Sequence, residues 1–151
     1  MPEKETLERA RQDEREGKSP STQAGEFVHE EIEHIREGKH GARSTKQAIA
    51  IGLSKARRAG VELPPPDKSK VSETTRKQAA RDAAKGRLSP GRKPSARRSR
   101  ATSEALKREG RQAASPAALS RQAHSSARSR SAADRSQAAK KAARTRARRE
   151  G

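Results

Sequence analysis

The sequence predicts a mostly α-helical and partly disordered chain: a short helical hairpin followed by a low-complexity basic, helix-prone tail. Three observations predict it. Bulky aliphatic side chains recur at helical spacing only early in the chain, and nine of the thirteen Ile, Leu and Val residues lie before position 64. Hydrophobic residues make up 28% and charged residues 37%, with Phe27 the single aromatic, so little apolar surface is available to offset chain entropy. The charge is lopsided. Residues 1–63 carry 12 Lys/Arg and 12 Asp/Glu, while residues 64–151 carry 25 and 7, which places the whole net charge of +18 in the C-terminal part.

Residues 1–17 read as a charged, solvated helix. Pro2 suits a first turn, Glu5 and Arg9 form an i,i+4 pair, Gly17 ends the helix, and almost no apolar face is visible. Residues 18–25 read as a Ser/Pro/Thr/Gly linker. The head, 26–63, holds two helices. The first spans about 26–37, with Val28, Ile32 and Ile35 at i, i+4, i+7 and Gly38 as its stop. The second is introduced by a capping box, Ser44 with Gln47, presents Ile49, Leu53 and Ala56 with Ala48 and Gly52 beside them, and ends at Gly60 before Pro64-Pro65-Pro66. A short loop between two apolar stripes predicts an antiparallel hairpin.

Residues 64–151 form the basic Ala/Ser/Arg/Lys-rich tail, expected to be largely disordered when free. Segments 70–85, ended by Gly86, and 101–109, ended by Gly110, have helical character, and Ser115-Pro116 is a good start for a helix running toward Arg149. The tail also repeats itself: Gln78-Ala79-Ala80-Arg81-Asp82-Ala83-Ala84-Lys85 matches Gln137-Ala138-Ala139-Lys140-Lys141-Ala142-Ala143-Arg144. Alanine favours helix and cation repulsion opposes it, so neutralisation by phosphate should convert coil to helix.

The tail is the strongest functional signal. Arg97, Arg98, Arg100, Lys140, Lys141, Arg144, Arg146, Arg148 and Arg149 place cations every few residues, a pattern suited to a phosphate backbone and to release of its counterions. Arg92 and Lys93, in Ser89-Pro90-Gly91-Arg92-Lys93-Pro94, suit a narrow minor groove, although a plain hinge has the same composition. Lys39, Arg43, Ser44 and Lys46 lie around a helix N-terminus and make a candidate anion-binding loop, against the alternative of a simple interhelical turn.

Enzyme chemistry is not expected, nor a cofactor or small-molecule substrate. There is no Cys, and no Ser-His-Asp arrangement can be picked out of so many serines. His29-Glu30-Glu31-Ile32-Glu33-His34 sets its histidines five apart, about 140° around a helix, where a zinc-protease helix needs four. His29 and Glu33 could supply two ligands without an evident third, so no metal is expected. The longest apolar stretch, 48–53, is far short of a membrane span, and no signal peptide is readable, which makes a cytoplasmic protein without membrane insertion the expectation.

Two resemblances add to this. The stretch from Glu26-Phe27-Val28-His29 through Gly38-Lys39-His40-Gly41-Ala42-Arg43-Ser44-Thr45-Lys46-Gln47-Ala48-Ile49-Ala50-Ile51-Gly52 to Gly60 resembles a small bacterial domain family of unknown function, whose members are often labelled DNA-binding. The resemblance implies a bacterial source and no established activity. In composition alone, the tail resembles bacterial histone-H1-like proteins. The functional expectation is non-sequence-specific DNA binding in the nucleoid. The alternatives are an RNA- or ribosome-associated basic protein, and a protein-interaction module whose head docks a partner while the tail solubilises it.

Overall fold

The computed structural model describes residues 2–151 and contains only helices among them. The chain divides into two compact units, the first ending at Ser115 and the second Pro116–Gly151. In the first unit the helices are α1 (Lys4–Arg15), α2 (Pro20–Arg36), α3 (Thr45–Arg58), α4 (Glu73–Leu88) and α5 (Ala96–Lys107), followed by a single 3-10 turn, Gln112–Ala114. The second unit holds α6 (Pro116–Arg128) and α7 (Ala132–Glu150).

The expected linker 18–25 is largely helix. Ser19 caps α2, its hydroxyl accepting from the Thr22 amide, and Pro20 fills the first turn where no amide is needed. The gain is two extra turns, which bring Gln23 and Ala24 into the interior. Helix α1 is not simply solvated either: it buries Thr6, Ala10 and Asp13. Arg9 reaches Glu26 at 2.7 Å and ties α1 to α2, and Lys18 closes on Asp13 at 2.6 Å.

The core is small and centred on Phe27, which is fully buried with Ala10, Ala24 and Ala56. Leu7, Leu53, Ala59, Val61 and Leu63 close its edge. Thus α1, α2, α3 and the segment returning from α3 meet around one ring. Arg57 holds that return, donating to the carbonyls of Leu63 and Pro64.

The buried face of α3 is offset by one residue from the expected stripe. Ala48, Gly52 and Ala56 point inward, while Ile49 and Leu53 are only half-buried. The reason is a close approach of the helices. A methyl group on Gly52 would stand 2.7 Å from Val28 Cα. Small residues at i, i+4 and i+8 let the backbones nearly touch, and the larger side chains flank the seam.

The tail departs most from expectation. Residues 64–151 carry four helices in place of largely disordered chain. Helix α4 packs on α3, burying Ala79, Asp82 and Gly86. Gly86 does not end that helix. A methyl there would lie 1.8 Å from the Arg57 carbonyl oxygen, so it is the point where α4 crosses the end of α3. Local signals explain the other tail helices. Ser72, Ser95 and Ser131 each cap a helix through the hydroxyl, and alanine dominates the interiors. Within the second unit, the Arg135 guanidinium caps the end of α6, donating to the carbonyls of Ala127 and Arg130 at 3.2 and 2.9 Å.

Candidate nucleic-acid interface

Asp82 shows how α4, the first helix of the basic part, is anchored. Its carboxylate is buried, accepting from Ser54 Oγ at 2.6 Å, Arg58 Nε at 2.8 Å and Gln78 Nε2 at 3.2 Å. Burial works to raise its pKa, but these donors outweigh it and hold the carboxyl below the usual carboxylate range. Two α3 side chains thereby bind one α4 carboxylate. Asp82 gives no signal of this in the sequence, because it lies in an Ala-rich repeat with no apolar stripe to mark a docking face. Its counterpart in the second copy is Lys141, which is exposed.

Beyond Asp82 the electrostatics change. The ion pairs of the described residues all fall between Glu3 and Asp82. Arg97, Arg98 and Arg100 stand exposed on the first turns of α5, where no acidic residue offsets the positive end of the helix dipole. Lys140, Lys141, Arg144, Arg146, Arg148 and Arg149 stand exposed on α7, which buries no residue. Across its 19 residues, about 28 Å of helix, α7 directs cations to several sides rather than along one stripe.

Arg92 and Lys93 are exposed at a turn between α4 and α5. Gly91, with φ +72°, donates its amide to the Arg58 carbonyl, and the Arg92 amide donates to Ser89. The segment is therefore a tight turn tied to the end of α3, with both cationic side chains outside it.

The loop 38–44 is more committed than its composition suggested. The amide of Gly41 donates to Leu106, that of Ala42 to Gly110, and that of Arg43 to the Gln47 side chain. Ser44 Oγ accepts from the Gln47 amide, as a cap should. Lys39 bonds Glu37 at 3.0 Å and Glu3 at 3.2 Å, and both contacts raise its pKa. Of the loop's three candidate cations, Arg43 and Lys46 stand exposed without a described ion pair. The Gly41 and Ala42 amides are taken by a strap: residues 106–115 cross the ends of α2 and α3, where Thr45 Oγ1 donates to Ala113 and Arg36 Nε to Ala114.

His29, which is exposed, and Glu33, which is half-buried, are the pair that the sequence offers as metal ligands, and they lie 4.0 Å apart. The histidines that enter a cluster are His34 and His40, beside buried Glu31. Glu31 and His34 share a helix face at i, i+3, a spacing readable in the sequence, whereas His40 arrives through the loop. No helix among the described residues is long and apolar enough to cross a membrane.

No curated protein and no solved structure matches the chain. Residues 15–68, just over a third of it, match the model of a family of unknown function (DUF6496), and this segment is an uncharacterised small domain that spans α2, α3 and the proline-rich return.

Proposed function

We propose that the protein binds nucleic acid, with duplex DNA as its main partner, through the phosphate backbone and without marked sequence preference. The observation that carries this reading is the set of exposed cations on α5 and α7 that enter none of the described ion pairs. A duplex presents about one charge per 1.7 Å of axis, so a basic helix can neutralise phosphates along its whole length. Arginines clustered at the N-terminus of α5 repel the helix dipole and one another, and a phosphate placed there relieves both. Arg92 and Lys93 sit at the α4–α5 turn, from which they can reach a groove edge. Phosphate contacts carry no sequence information, so the reading implies a packaging or accessory role in the nucleoid rather than operator recognition.

Fluorescence anisotropy on a random-sequence duplex tests it in the full chain. One variant carries Gln at Lys140, Lys141, Arg144, Arg146, Arg148 and Arg149, and a second carries Gln at Arg43 and Lys46. The first should lose most of the affinity at physiological salt and the second little. If the second loses affinity and the first does not, the head binds and the tail assignment is wrong. Competition by duplex RNA that matches duplex DNA would move the reading to general polyanion binding.

A further inference from the structure

The geometry points to a divalent transition-metal site, of the kind zinc occupies, formed by Glu31, His34 and His40. Each offers one ligand atom, and the three atoms lie within 4.8 Å of one another. Two nitrogens and one carboxylate oxygen form a donor set that zinc accepts, with a fourth position left for water or another carboxylate. Ligands about 2.1 Å from a tetrahedral metal stand about 3.4 Å apart, so the widest pair closes by up to about 1.4 Å on binding. His40 Nε2 and Glu31 Oε2 are already 3.1 Å apart.

The hydrogen bonding argues for a cation between these two atoms. His40 Nδ1 lies 2.9 Å from the Gly41 carbonyl, which can only accept, so Nδ1 carries the proton. In the neutral ring Nε2 then has a bare lone pair, and Nε2 lies 3.1 Å from Glu31 Oε2. Glu31 is fully buried, and its Oε2 accepts no hydrogen bond. Its other oxygen is taken by Lys55 Nζ. Two acceptor atoms this close in the interior, with no proton between them, are costly, and a metal ion bound by both removes the cost.

The surroundings have the character of metal-site supports. Metal-binding histidines usually donate their second N–H to a carbonyl or a carboxylate. His40 does so to Gly41. His34 Nε2 lies 3.0 Å from Glu3 Oε1, and that carboxylate can only accept as well. Glu30 is nearly buried, its Oε1 accepts from the Glu3 amide at 2.5 Å, and its Oε2 accepts no hydrogen bond. Glu3, Glu30 and His34 form a second set of the same span. A bound metal would join α2 to the 38–44 loop, a structural staple for a domain whose core is little more than one aromatic ring.

Chelator-dialysed full-length protein titrated with zinc tests the proposal, with cobalt(II) as a visible probe of coordination. One equivalent should bind, the melting temperature should rise, and the ring nitrogens of His34 and His40 should shift in the NMR spectrum while those of His29 and His124 do not. His40→Gln and His34→Gln should abolish the melting shift and the cobalt absorption bands, and His29→Gln should keep both. The ring-nitrogen readout needs no variant, so loss of folding in a substituted protein leaves the test intact. Zinc binding that survives in both His34→Gln and His40→Gln, or that shifts His29 equally, would overturn the site. Absence of stoichiometric binding, with His40 protonated on both ring nitrogens, would make a proton the cation and overturn it too.

Discussion

Gly25 and Gly52 are both helix-interior glycines, and the same substitution should have opposite effects at the two. Replacing a helix-interior Gly by Ala stabilises by about 1 kcal/mol through backbone entropy. At Gly25, exposed on α2, a methyl would have nothing within 4 Å, so Gly25→Ala should realise that gain. At Gly52 the methyl would stand 2.7 Å from Val28 Cα and 2.9 Å from Val28 N and Cγ2. Ordinary carbon contacts begin near ~3.5 Å, so the α2–α3 seam must open by about 1 Å. Two of those three atoms are backbone and cannot rotate aside. Overpacking of this kind costs about 1–3 kcal/mol, which exceeds the propensity gain and leaves Gly52→Ala destabilised by about 1 kcal/mol. The two variants should therefore differ by about 2 kcal/mol, or roughly 8 °C in melting temperature for a unit of this size. Thermal melts followed by far-ultraviolet circular dichroism measure it. A Gly52→Ala protein that melts at or above the parent would refute the close seam.

Further predictions follow from burial and charge. Phe27→Ala should cost about 3–5 kcal/mol and Leu53→Ala clearly less, because Phe27 is fully buried and Leu53 only half-buried; denaturant titration ranks them. Asp82 has a lowered pKa in the folded protein, so its stabilisation is complete above its unfolded value of about 3.9 and is lost as pH falls below that. Asp82→Asn should accordingly be less stable than the parent at neutral pH, with the difference shrinking in acid; equal stability at neutral pH would remove Asp82 as the α4 anchor. Amide exchange should be slow in α2, α3 and the Asp82 turn of α4. It should be fast in α7, which buries nothing, and should slow there when DNA is added. Protection in α4 no greater than in α7 would contradict the α3–α4 packing.

What the sequence made legible was mostly local. The Ser44–Gln47 cap and the stops at Gly17, Gly38 and Gly60, all at positive φ, depend on residues adjacent in the chain. Ser19-Pro20 is the same signal as Ser115-Pro116, but it lay inside a polar stretch whose composition read as linker. The α3 face was misplaced because hydrophobic periodicity weights Ile49 and Leu53 and gives almost nothing to Ala48 and Gly52, which make the contact. Gly86 was read as a stop because close approach to Arg57 is a tertiary fact. The docking of α4 was hidden for the same reason: it rests on a carboxylate, Asp82, and not on an apolar stripe. In the Glu31–His34–His40 cluster, two members were readable from their i, i+3 spacing, and the third depends on how the loop folds back.

In the proposed function, exposed cations of α5 and α7 neutralise DNA phosphates. The salt dependence of binding tests it most directly, measured for the full chain on a random-sequence duplex. If about six phosphates are neutralised, the log–log slope of affinity against salt should be about −5. Gln at the six α7 cations named above should make it shallower by up to about 5, reaching that limit only if each of the six neutralises one phosphate. A slope near zero in the parent, or one unchanged in that variant, would contradict phosphate binding by these helices.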